Sequence, residues 1–190
     1  LQQRLLELHR LSDSIERIEL MDDITMERLP EILVASYRTR LHHREELTPV
    51  FNRIINPELQ RIGCKRTIPI YGFSIEHEQE YKEEDIDTEY CLQVDEMATD
   101  SSLIKFKRLP EVPQAVCMKY TGPYGRFHEH FAEIFQYIDR QGLTICGPYR
   151  TQYVEGPWNQ KNPSKWVTII QVPVKEEVQQ NPFPNETFYQ

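Results

Sequence analysis

The sequence lacks most of the signatures that announce a function. No apolar run approaches the roughly 20 residues that span a bilayer, and no signal-peptide pattern is present. There is no HExxH, no glycine-rich phosphate loop and no GxSxG. Cation excess is also missing: Lys and Arg number 22 against 30 Asp and Glu, for a net charge of −8. That balance argues against a nucleic-acid-binding surface on this chain and favours neutral or cationic partners. The four cysteines, Cys64, Cys91, Cys117 and Cys146, form no CxxC and read as reduced thiols in a cytoplasmic protein. His128 and His130 are two apart on a helix and point to different sides, so no metal site or cofactor is expected. The chain begins at Leu1, and the expectation is a piece of something longer.

What the sequence does contain is a repeat. Residues 24–35 (ITMERLPEILVA) and 104–115 (IKFKRLPEVPQA) share six identities in twelve at an offset of 80. A length of 190 residues suits one sizeable domain or two small ones, and a core without metal or disulfide staples. Each copy opens with a strand that bends at Leu-Pro, where proline offers no N–H. A helix follows at 45–62, with Thr48 as cap and Gly63 as stop, and again from Phe127 to Gly142. The second helix carries Phe127, Phe131, Ile134, Phe135 and Ile138 on one face. Strands at 69–76 and 87–95, and at 148–155 and 166–174, close the two copies. The fold class is therefore α+β: two pseudo-symmetric β-α-β-β units in one antiparallel sheet, helices on one face, and a ligand groove between the halves. The halves run from about 24 to 95 and from 104 to 174 within a domain at 23–175. Residues 1–22 hold Leu1, Leu8 and Ile15 at heptad spacing, which suits a dimerising coiled coil or a docked amphipathic helix, and 176–190 read as a polar tail.

Strand alternation assigns the faces. Thr88, Tyr90, Leu92 and Val94 oppose Asp87, Glu89, Cys91 and Gln93. The more apolar faces are expected under the helices, the others in the groove. A mid-strand Glu89, matched by Ile169 at the repeat offset, then supplies one carboxylate against one apolar wall. Tyr37, Tyr71, Tyr90, Tyr153 and Trp158 add aromatic walls, a combination that holds a greasy cation by cation–π attraction plus a counter-charge. A solvated Glu89 on an open sheet and tyrosines in the core are the plainer readings of the same residues. A Glu89–Tyr153 acid/base pair is a further one.

Taken in order, the twin LPE openings, DIDTEYCLQV at 85–94, YTGPYGRFHEHF at 120–131, GPYRTQYVEGP at 147–157 and KWVTIIQVPV at 165–174 resemble the GyrI-like (gyrase-inhibitor-like) effector-binding domains. In that family the domain stands alone or ends MerR-type and AraC-type transcription regulators, where it binds hydrophobic, often cationic, small molecules. The resemblance implies a small-molecule sensor, dimeric through the N-terminal helix, that reaches DNA only through a domain not present in this chain and does not involve a membrane. It also leaves two alternatives, a stand-alone hydrolase and a gyrase-inhibitor-type protein-binding module. The family's WxTEI glutamate is Ile169 here, and a second glutamate common after the Arg of GPYRTQY is Thr151. These two departures weaken the hydrolytic alternative, and no catalytic residue is assigned.

Overall fold

The computed structural model describes residues 24–78 and 80–176. The N-terminal helix expected at 1–20 and the tail expected at 176–190 lie outside the described residues but for Glu176. Each Leu-Pro step divides its opening strand in two. In the first half β1 (Ile24–Leu29) and β2 (Ile32–His43) flank Pro30, and in the second half β5 (Lys105–Leu109) and β6 (Val112–Thr121) flank Pro110. Between them lie a helical segment α1 (44–61), β3 (Gly72–Glu76) and β4 (Glu84–Gln93). After β6 come α2 (Phe127–Arg140), a short β7 (Leu143–Ile145), β8 (Arg150–Glu155) and β9 (Val167–Glu176).

The strands form one antiparallel sheet in the order β1-β6-β9-β8-β3-β4-β2-β5, with β7 paired to β9. The opening strands are exchanged. β1 pairs with β6 of the other half, and β5 pairs with β2. The repeat thus has a structural role: Arg28 bonds Glu111 and Arg108 bonds Glu31, so the two RLPE motifs hold each other across the exchange.

One cross-strand row shows that both helices share a face. Met118, Ile170, Thr151, Ser74, Tyr90 and Tyr37 are successive partners across β6, β9, β8, β3, β4 and β2. At one end Met118 and Ile170 pack with Phe127, Phe131, Ile134 and Ile138 of α2. At the other, Tyr90 and Tyr37 pack with Ile55 and Leu59 of α1. The helices therefore sit at the two ends of the sheet and the middle strands, β3 and β8, lie between them.

The two helices differ in regularity. α2 is an unbroken stripe and ends at Gly142 with φ +65°, where a side chain would be strained. α1 changes pitch: a 3-10 turn at Arg44–Glu46, α at Leu47–Val50, π at Phe51–Ile55, then α again at Asn56–Arg61. Pro57 explains the wide turn. Its nitrogen has no N–H and its ring crowds the carbonyl one turn earlier, so the ladder opens ahead of it. Thr48, expected as the cap, lies inside this segment and makes no capping bond; it is Glu46 that accepts from the His42 N–H at 2.9 Å.

Three measurements test this packing. Phe131 is fully buried, so Phe131→Ala is expected to cost about 3–5 kcal/mol in urea unfolding. Arg28 and Glu111 are exposed, so Arg28→Ala is expected to cost at most about 1 kcal/mol. His130 is buried against the Tyr120 ring at 3.9 Å, and neither ring nitrogen has a hydrogen-bond partner. Burial and the Arg126 charge bring its pKa down to about 4. The unfolded chain takes up this proton near pH 6.5, before the folded protein does. Stability is therefore full above pH 6.5 and falls as pH drops toward 4, and His130→Leu is expected to remove that slope from the urea midpoint between pH 6.5 and 5.

Candidate functional site

The middle strands carry small side chains on the helix face: Gly72 and Ser74 from β3, Thr151 from β8. Small residues between two helices leave a depression, and large aromatic residues surround it. Tyr90 leans over Gly72 so closely that a Cβ there would lie 2.5 Å from its hydroxyl oxygen. Tyr90 also tilts against Phe51 of α1 at 5.1 Å. Opposite, the Tyr153 hydroxyl is 3.3 Å from Ser74 Oγ. Tyr124 meets Tyr153 edge-on at 5.8 Å and stacks obliquely on Trp166 at 4.7 Å. Trp158 stands perpendicular to Tyr153 at 6.3 Å and lies over Gly156, where a Cβ would fall 2.2 Å from its ring.

The floor ends in a buried ion pair. Glu76, at the end of β3, is 1 % exposed. Arg44, on the first turn of α1, bonds both of its oxygens, with Nη2 to Oε2 at 2.9 Å and a shorter contact from Nη1. The Tyr149 hydroxyl donates to the same carboxylate. Arg44 also donates to the Lys82 carbonyl at 2.6 Å and lies over the Tyr81 ring at 4.8 Å. Tyr81 in turn stacks on Phe131 of α2 at 4.7 Å, so this cluster ties α1 to α2 across the depression.

Electrostatics follow from that pair. Burial works against the Arg44 charge, but Glu76 outweighs it and holds the guanidinium well above its ordinary range. Burial pushes the Tyr149 hydroxyl up, and the Glu76 charge pushes it further. Burial likewise raises Tyr90 and Tyr124, and brings Tyr153 up to about 12. Tyr90, Tyr124 and Tyr153 nonetheless keep accessible surface. Deeply surrounded hydroxyls on rings that still touch solvent mark the lining of a concavity. Among the described residues the Tyr124 hydroxyl and Thr151 Oγ1 are buried without hydrogen-bond partners, so the lining has unsatisfied polar atoms.

The residues singled out in the sequence divide between the two faces. Tyr90, Tyr153 and Trp158 meet in the depression, and Tyr37 lies beside Tyr90 against α1. Glu89, Tyr71 and Ile169 belong to the other face of the sheet, helix-free among the described residues. There Glu89 is 4 % exposed and already bound by Lys107 Nζ at 2.5 Å and His77 Nε2 at 3.1 Å. Burial raises its carboxyl, but Lys107, with smaller contributions from Ser36 and His77, more than offsets that and keeps it below the usual range. Glu76 and Arg44 were not visible as a site in the sequence, because their partnership spans 32 residues and Tyr149 is 73 away. The available signal was the alternation Gly72, Ser74, Glu76, which puts a carboxylate in line with two small residues.

Among the described residues, no group of His, Cys, Asp and Glu is placed to hold a metal ion, and no helix is long and apolar enough to cross a membrane. Comparison with known proteins bears on the fold and the family. No curated protein sequence matches the chain. Among solved structures, the EcmrR C-terminal domain superposes with a TM-score of 0.77 at 27 % identity, covering 81 % of this chain and 98 % of that one. EcmrR in a cryo-electron-microscopy complex with DNA gives 0.76 at 23 % identity, covering 93 % and 71 %. SAV2435 bound to tetraphenylphosphonium gives 0.53 at 14 % identity, covering 80 % and 93 %, a likeness of fold alone. The sequence profile described as the GyrI-like small molecule binding domain matches residues 22–175. With that match over most of its length, the chain belongs to the GyrI-like family.

Proposed function

We propose that this chain is the effector-binding part of a MerR-type transcription regulator, and that a flat, largely apolar molecule binds in the depression between α1 and α2. The observation that carries the reading is the ring of deep but accessible tyrosines, Tyr90, Tyr124 and Tyr153, around an internally neutralised ion pair. Flat aromatic ligands stack on such rings, and the partnerless Tyr124 hydroxyl and Thr151 Oγ1 supply hydrogen bonds. The likeness to EcmrR, seen with DNA, and to SAV2435, seen with a lipophilic cation, supports the same reading.

Charge selectivity rests on Arg44. Its guanidinium is itself a planar cation, stacked on Tyr81 and held by Glu76. It therefore stands where a cationic ligand would stand. A neutral ligand leaves the pair intact, whereas a cation must displace Arg44 from Glu76. Arg44 sits on the first turn of α1, the helix with the irregular pitch, so displacement would move the start of that helix. Ligand binding biases the regulator only by its different affinity for the two arrangements. DNA contact belongs to another domain, and residues 1–22 provide dimerisation. No observation favours hydrolysis: burial pushes every tyrosine of the depression up, away from a general base at neutral pH.

Fluorescence titration with a cationic lipophilic dye and a neutral analogue tests the site. Tyr153→Ala is expected to weaken both by about tenfold or more, and unchanged affinity for both would place the ligand elsewhere. Arg44→Met leaves Glu76 buried and unpaired, so it is expected to lower stability by about 3–5 kcal/mol. The cationic dye should then raise the melting temperature of that variant more than it raises that of the unsubstituted protein. Equal shifts would show that Arg44 does not set the charge preference.

A further inference from the structure

The helix-free face has its own cross-strand row: Cys117, Gln171, Arg150, Ile75, Glu89 and Arg38. Two groups in it are unaccounted for. Arg150 is 8 % exposed, yet among the described residues its guanidinium has no hydrogen-bond or ion-pair partner, only the Phe73 ring beneath it at 5.4 Å. Gln171, its direct cross-strand neighbour, is 4 % exposed and its Oε1 has no partner. A cation taken out of water without a counter-charge is strongly unfavourable. Glu89, two strands along the same row, does not relieve it, because Lys107 and His77 already hold that carboxylate. The groups close enough to act on Arg150 are Tyr71 and Cys91, both uncharged at neutral pH.

We propose that this face carries a second binding site, centred on Arg150, for a carboxylate borne on an apolar body. The guanidinium presents a planar fork that matches two carboxylate oxygens. Tyr71, close enough to act on the Arg150 charge, has an O–H that can donate to the same carboxylate. Gln171 Oε1 is left as an acceptor, which selects a ligand with a hydroxyl or N–H next to its carboxylate. Phe73 forms the floor, and Ile169 and Tyr71, both part-buried, form an apolar rim. The site lies on the opposite face of the sheet from the depression and takes an anion, for which the depression offers no free cation among the described residues. It stands independently of the effector reading.

Mandelate, a hydroxy acid on a phenyl body, is the probe, and neutral mandelamide is the control. The full chain is melted with each at constant ionic strength and titrated calorimetrically. Mandelate is expected to bind saturably and raise the melting temperature, and mandelamide is not. Arg150→Met is expected to weaken mandelate at least about tenfold while dye binding in the depression persists. Arg150→Lys, which keeps the charge without the fork, is expected to weaken it about fivefold, and it serves as the variant should Arg150→Met fail to fold. Arg28→Ala, which removes an exposed cation outside both sites, is expected to leave mandelate affinity unchanged. No saturable mandelate binding, equal binding of mandelamide, unchanged affinity in the Arg150 variants, or loss of affinity in Arg28→Ala would each overturn the proposal.

Discussion

Exchange of the opening strands is the constraint on which this molecule depends. β1 belongs in sequence to the first half but completes the second, and β5 returns the exchange. Neither half can close its sheet alone, and neither can move as a separate body without breaking a strand pair. The boundary between halves, at β3 and β8, is therefore the fixed centre of one sheet. That is why a site at this boundary can be built from small floor residues, with the bulk supplied by helices at either end. The exposed Arg28–Glu111 and Arg108–Glu31 pairs mark the exchange but contribute little energy. The backbone ladder and the apolar residues beneath it carry the stability.

From this arrangement two faces of unlike chemistry arise. The helix face concentrates tyrosines and closes its buried Glu76 carboxylate with an internal cation, leaving aromatic surface and unsatisfied hydroxyls around it. The other face keeps a carboxylate, Glu89, fully engaged, and leaves a cation, Arg150, unanswered. Pairing in one place and its absence in another have the same physical basis. Buried charge is costly unless a partner is present.

Much of this was legible in the residues, and the legible part was local. The Phe127–Ile138 stripe specifies α2 because its information lies within three turns. The Leu-Pro steps predicted a bend, and the bend is where each strand changes partners. The repeat correctly implied two similar halves in one sheet. Alternation put Tyr90 and Glu89 on opposite faces of their strand, and the structure keeps them there. It could not say which of the two faces would gather the aromatic residues, because that depends on how the halves meet. Glu89 drew attention as an out-of-place strand carboxylate, and its neighbours Lys107 and His77 come from elements that only the assembled sheet brings near. Glu76 looked ordinary at the end of a strand. Its character comes from Arg44 and Tyr149, neither of which it touches in sequence.

The strand exchange also has a consequence in time. Ile24 pairs with Met118 and Leu29 with Val112, so β1 leaves the ribosome early and has no partner until the whole first half and the opening strands of the second have emerged. Contacts so distant in sequence are slow to form. In the interval its edge, with Met26 on it, is open to any other unpaired strand. The charged residues of β1, Glu27 and Arg28, then have a second use: they disfavour pairing of a waiting strand with the wrong partner.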